Sequence, residues 1–141
     1  MKSLYVGLMS GTSRDSLDGC LVSFENGLNV LACDTLNFSD GYQTSQDQAY
    51  IDKEITNKSI ELVNKLIEIR RDNVVAIAFP GQTISHNDHF SLQAGSPETI
   101  AKETKIPVYS DFRNFDIAKG GKGAPLIPHF HQYLLSKKGT E

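Results

Sequence analysis

Apolar residues arrive in short bursts along the first forty positions. Leu4 to Met9, Gly19 to Phe24 and Leu28 to Phe38 are β-compatible runs, and the last two are separated by Glu25-Asn26-Gly27. Asn-Gly between apolar runs signals a tight hairpin, because both residues accept the positive φ such a turn needs. The three runs therefore predict an antiparallel meander. Residues 41–48 are polar and read as loop, after which the period changes. In Asn57 to Arg71, Ile60, Val63, Leu66 and Ile67 fall on one helical face, with Asn57 as N-cap.

Asn73 to Phe79 (NVVAIAF) is a continuous run rich in β-branched residues, the pattern of a strand covered on both faces. FSLQAG reads as a short strand. SPETIAKET starts a helix, with Ser96 as N-cap and Pro97 at the first helical position, where its missing N–H is not needed. IPVYSDF returns to strand, and KGGKGAPLIPHFHQYLL is a glycine-rich loop opening into a helix with Pro125 near its first turn. Three strands followed by alternating helix and strand predict a mixed α/β domain, a central sheet flanked by helices.

Composition narrows this picture. With 141 residues, 39% hydrophobic and 22% charged, the chain suits one globular domain with one core. A formal charge of -3, with no basic run longer than Lys137-Lys138, gives no footprint for nucleic acid or an anionic membrane. Cys20 and Cys33 each lie in an apolar stretch, so buried free thiols in a reducing cytoplasm are expected, a disulfide being the lesser alternative. Glycine and polar residues interrupt the N-terminal apolar run before a signal peptide or membrane span is complete, so a cytoplasmic protein is expected.

The connection between the first two runs changes the picture most. Residues Gly7 to Asp18 hold two glycines with Ser10, Thr12, Ser13 and Ser16, far more polar chemistry than a reversal requires. Inward-turned N–H groups and hydroxyls suit a phosphate chain. Asp15 and Asp18 fit only alongside a divalent cation, since Mg²⁺ is held by one or two carboxylates, waters and phosphates. The stretch is not a Walker A motif, and an ordinary solvent turn uses the same residue types.

FPGQTISH places Gln82 and Thr83 at a strand's carboxyl end, the usual ligand edge of α/β sheets, against the alternative of a polar Pro-Gly turn. SDFRNFDIAKGGKGAP sets Asp111, Arg113 and Asp116 beside a loop whose glycines permit close backbone approach. His86, His89, His129 and His131 lack nearby cysteines and the spacing of a zinc site, and no GxSxG elbow is present.

Taken in order, GLMSGTSRDSLDG, GQTISH, SLQAGSP and DFRNFDIAKGGKGAPLIPHFH resemble the anhydro-N-acetylmuramic acid kinases of bacterial cell-wall recycling, over nearly the whole chain. The resemblance implies an actin-like ATPase (ribonuclease H-like) α/β lobe, a mixed sheet with an antiparallel N-terminal meander and flanking helices. It implies ATP and Mg²⁺ as cofactors, with Gly11, Thr12, Ser13, Arg14, Asp15, Ser16, Leu17 and Asp18 at the nucleotide and Asp15 and Asp18 toward the metal, directly or through water. Gln82, Thr83, Arg113 and Asp116 are implied on or near the sugar cleft, with Gly120, Gly121 and Gly123 shaping its floor.

The family pattern has glycine where Ser16 stands, histidine at Pro80, aspartate at Ser96 and glutamine at Lys122, so altered sugar contacts are expected there. Family members are also more than twice as long. Their second lobe carries a GFDTGPGN-like segment with the general-base aspartate and the adenosine pocket. Residues 1–141 are thus expected to form the N-terminal lobe of a two-lobed kinase, with no catalytic base of their own and no activity alone. The sugar, the C-terminal lobe and a second copy in a homodimer are the expected partners, and a truncated non-catalytic remnant binding a sugar or a protein is the alternative.

Overall fold

The computed structural model describes residues 2–138, and side chains as far as residue 136, so the extreme ends of the 1–141 domain fall outside it. Seven strands and four helices run in the order β1 (Leu4–Ser10), β2 (Ser16–Ser23), β3 (Asn29–Asn37), α1 (Gln48–Ile67), β4 (Val74–Ala78), β5 (Gln82–His86), β6 (Ser91–Ala94), α2 (Pro97–Thr104), β7 (Val108–Tyr109), α3 (Phe112–Ala118) and α4 (Pro128–Lys138). A five-stranded sheet has the order β3-β2-β1-β4-β7, and β5-β6 form a separate two-stranded sheet. β1 pairs antiparallel with β2 and parallel with β4, which makes the main sheet mixed.

Period-2 alternation explains which face is buried. Leu4, Val6, Leu8 and Ser10 of β1 and Leu17, Leu21 and Ser23 of β2 face the core. They meet Ile55, Leu62, Val63, Leu66 and Ile67 of α1 and Ile100 of α2. Gly19 lies where α1 comes closest: a Cβ there would sit 2.8 Å from Leu62 Cδ2 and 2.9 Å from Leu66 Cδ1. The glycine is thus what lets the helix settle on the sheet.

The expected meander is present, and its second turn has Asn26 at φ 57 and Gly27 at φ 100 as Asn-Gly predicts. Ser96 caps α2 by accepting from Thr99 N–H at 3.1 Å, with Pro97 as the first helical residue. Other expectations are corrected. Helix α1 begins near Gln48 rather than Asn57, because Asp47 accepts from Tyr50 N–H at 3.2 Å and Ile51 and Ile55 extend the buried face. Residues of GQTISH form a strand, α3 was not foreseen, and Pro125 lies in the loop, with Pro128 opening α4.

Strand β4 is covered on one face only: Ile77 is buried, whereas Val75 is 44% exposed beside Tyr109 at 62%. Both α1 and α2 pack on the Ile77 side. The cysteines are neither free nor deeply buried. The β2–β3 register sets Cys20 opposite Cys33 with Cα atoms 4.2 Å apart, and the two are joined as a disulfide. Hydrophobic surroundings in sequence did not reveal that both side chains point to the less covered face.

Candidate functional site

Strand β1 ends at Ser10 and β2 starts at Ser16, leaving residues 11–15 as the connection. Arg14 N–H donates to Gly11 O at 3.1 Å and closes a turn, after which Arg14 takes the left-handed conformation at φ 56. A non-glycine residue there costs roughly 1–2 kcal/mol. The Arg14 guanidinium offsets this by donating to Ser45 O at 2.9 Å and lying 5.9 Å over the Tyr42 ring.

From the other side, Gln43 Nε2 donates to Ser13 O at 3.2 Å and to Asp15 Oδ1 at 2.8 Å. Beneath the loop, Gln82 Oε1 accepts from Ser10 Oγ at 2.6 Å and from Tyr42 Oη at 3.2 Å, while its Nε2 donates to Gly11 O at 3.1 Å. Burial, the largest influence, holds the Tyr42 phenol well above its ordinary value of 10.0, against the smaller pull of Arg14. It therefore remains an O–H donor throughout the neutral range.

With the loop anchored this way, Gly11, Thr12, Ser13, Asp15 and Asp18 stay exposed. The other positions expected at the nucleotide are placed differently. Leu17 is a core residue at 1% exposure, and the Arg14 side chain is engaged in holding the loop. Asp18 projects from β2 and accepts from Thr35 Oγ1 at 2.7 Å through Oδ1, just as Asp15 uses Oδ1 for Gln43. Each leaves Oδ2, so the pair suits a cation completed by waters and phosphates. Among the described residues no group of three or more His, Cys, Asp or Glu side chains could hold a metal.

The residues expected at the sugar lie along β5 and beyond. Gln82 is fully buried, and its amide is turned to protein partners rather than to a cleft. Thr83 Oγ1 donates across the hairpin to Gln93 Oε1 at 3.0 Å. β5 ends at His86, roughly 13 Å along the strand from Gln82, and there it backs against Gly123, whose Cβ, if present, would sit 3.1 Å from His86 Cε1.

Arg113 and Asp116 both grip that glycine loop: Arg113 Nη1 donates to Gly123 O at 3.1 Å, and Gly123 N–H donates to Asp116 Oδ2 at 2.9 Å. Gly121 is pressed so closely on the Asp116 carboxylate that a Cβ would overlap it, and Gly120 has φ 97. Their charges therefore shape the loop that lines the site. A cavity of about 250 Å³ opens between the β5–β6 hairpin and α3, bordered by Pro80, Gly81, Gln93, Asp111 and Asn114. That is below the roughly 300–1,000 Å³ of ligand sites that enclose a small molecule.

Four contributors were missed in the sequence. Ser10 had a signal, since it continues the buried Leu4, Val6, Leu8 register, where a polar side chain must find a partner. Asn114 fastens α3 to β6 through two 2.8 Å bonds with the Ser91 backbone. Tyr42 and Gln43 act across long sequence separations and carried no local signal.

A mixed sheet of this order, with a hydroxyl- and glycine-rich first hairpin loop, has the architecture of an actin-like sugar-kinase lobe. The profile of the anhydro-N-acetylmuramic acid kinases matches residues 3–141, and the chain belongs to that family. It is 39% identical over 151 residues to the anhydro-N-acetylmuramic acid kinase of Shewanella pealeana, covering 93% of this chain and 41% of that protein. Against the Shewanella woodyi protein of the same description the identity is 39% over 159 residues, covering 99% and 43%. The chain thus spans less than half the length of these relatives. A solved ROK family transcriptional regulator superposes over 80% of this chain and 28% of its own, at 16% identity and a TM-score of 0.41.

Proposed function

We propose that this chain is the phosphate-binding lobe of an ATP-dependent cytoplasmic kinase that acts on 1,6-anhydro-N-acetylmuramic acid. The reading is carried by the anchored β1–β2 loop. Its interior side is taken up by Gln82, Tyr42 and Gln43, while Thr12 and Ser13 remain exposed. In the reaction, the γ-phosphoryl group passes from ATP to the sugar O6 and water adds to the anomeric carbon as the 1,6-anhydro bond opens, giving N-acetylmuramic acid 6-phosphate and ADP. Backbone N–H groups and hydroxyls of the loop would hold the phosphates.

Asp15 and Asp18 would hold Mg²⁺, which supplies charge neutralisation when bound. Thr83 and the glycine loop braced by Arg113 and Asp116 would border the sugar. Phosphoryl transfer demands positioning more than covalent participation, which is what an anchored loop offers. The second lobe of the relatives would supply the general base and the nucleoside pocket, and closure between lobes would exclude water.

The test is to fuse this chain to the segment of the Shewanella woodyi protein outside the matched 43%. ADP release dependent on the anhydro-sugar is expected from the fusion and from neither part alone. A folded fusion that consumes no ATP, or turnover by the 141-residue chain by itself, would overturn the reading.

A further inference from the structure

We infer that Gln82 is the residue that orients the phosphate loop, a positioning residue acting through the Gly11 carbonyl; this rests on the loop's reading as an anion site. Gln82 opens β5 at 0% exposure, and a buried primary amide is costly unless its donors and acceptor are met. They are met from three separate segments: the end of β1, the loop itself and the β3–α1 connection. Its orientation follows from chemistry, since Gly11 O can only accept and so must face Nε2, leaving Oε1 for the two hydroxyls.

The consequence appears one atom further on. Gly11 O takes the Gln82 amide at 3.1 Å and Arg14 N–H at 3.1 Å, so this carbonyl is turned toward the protein. The Gly11–Thr12 peptide is planar and trans, which points Thr12 N–H away from that carbonyl, on the exposed side. An inward carbonyl and an outward N–H are what an anion needs from a loop, and the reverse orientation would present it with a carbonyl oxygen. Without the Gln82 donor, the peptide keeps only the turn's own bond and can rotate.

A glutamine that merely fills the core predicts something different. Loss of its side chain would then lower stability as any core change does and leave anion binding alone. The two are separated by titrating the 141-residue chain with inorganic triphosphate and following the amide signals by two-dimensional NMR, with Gln82→Leu, Gln82→Met and the core control Ile77→Val beside wild type. Expected are shifts at Thr12 and Ser13 in wild type, an affinity weaker by about tenfold or more in both Gln82 variants, and wild-type affinity in Ile77→Val. Gln82→Met serves if Gln82→Leu does not fold. Folded Gln82 variants that bind within twofold of wild type would overturn the inference while leaving the phosphate loop standing. Wild type that binds triphosphate at other amides only, or not at all, would remove both.

Discussion

Two hairpin connections lie side by side in one sheet, and they are built on opposite plans. The β2–β3 turn is self-contained: Asn26 and Gly27 supply the positive φ values, and Asn29 Nδ2 donates to Glu25 O at 2.9 Å and Gly27 O at 3.1 Å. Every bond there spans at most four residues. The β1–β2 connection is held from outside, by Tyr42, Gln43 and Ser45 about thirty residues away and by Gln82 more than seventy away. A turn that only reverses the chain stabilises itself. A loop whose exposed groups must stand in one arrangement needs distant elements to over-determine it, and that dependence on outside support marks the first connection as the functional one.

The widest separation between the two plans is expected in turnover. In the fused kinase, Asp15→Ala or Asp18→Ala removes a carboxylate facing the shifting phosphate charge, and kcat should fall by ~10² or more while the KM for sugar changes little. Asn26→Ala in the other turn should leave kcat at the wild-type value. Steady-state kinetics with melting temperatures alongside check this. Wild-type turnover in both aspartate variants would reduce the first loop to a turn after all.

Stability should sort the same two regions by a smaller margin. Ser10→Ala strips one of two hydroxyl donors from the buried Gln82 carbonyl and should cost about 1–3 kcal/mol. Gly27→Ala forces a Cβ onto φ 100 and should cost about 1 kcal/mol, although nothing lies within 4 Å of the new atom. Only the first should also slow the fused kinase. Urea denaturation gives both values, and an equal effect of the two substitutions on turnover would erase the distinction drawn between the hairpins.

The contrast also explains what could be read in advance. The β2–β3 turn, the meander around it and the Ser96-Pro97 start of α2 are local events, written within a few neighbouring residues, and they were legible. The core face of β1 was legible as well, since period 2 is a local property. The chemistry of the opening loop could be seen in its residue types, but not which of them face outward. Arg14 and Leu17 belong to the stretch that suggested a phosphate site, yet one grips the β3–α1 connection and the other fills the core. Arg113 and Asp116 misled in the same way, because charges beside glycines suggest a ligand when they are bracing the glycine loop itself. The β5–β6 hairpin was hidden because Pro80-Gly81 looked like the end of an element rather than the bend into a new one.

The smallest effect concerns the self-contained hairpin and acid. Asp34 on β3 sits opposite Gly19, its Oδ1 accepting from Thr35 N–H at 2.8 Å and its Oδ2 lying 3.3 Å from Lys65 Nζ on α1. The Thr35 N–H, and after it the Lys65 ammonium, hold this carboxyl below its usual 3.8. A carboxyl with a lowered folded pKa binds its proton less readily in the folded state, so its stabilisation is present above 3.8 and fades as pH falls from there through the lower folded value. The group is exposed and the ion pair open to solvent, so the contribution is modest and weakens with salt. Asp34→Asn should therefore flatten only the acid limb of stability against pH, below about 4, and leave the neutral plateau within roughly 0.5 kcal/mol of wild type. Melting temperatures from pH 2.5 to 7 at low and high salt test this. A loss that persists undiminished at pH 2.5 would mean the side chain acts through packing instead, and would make the second hairpin less local than its turn implies.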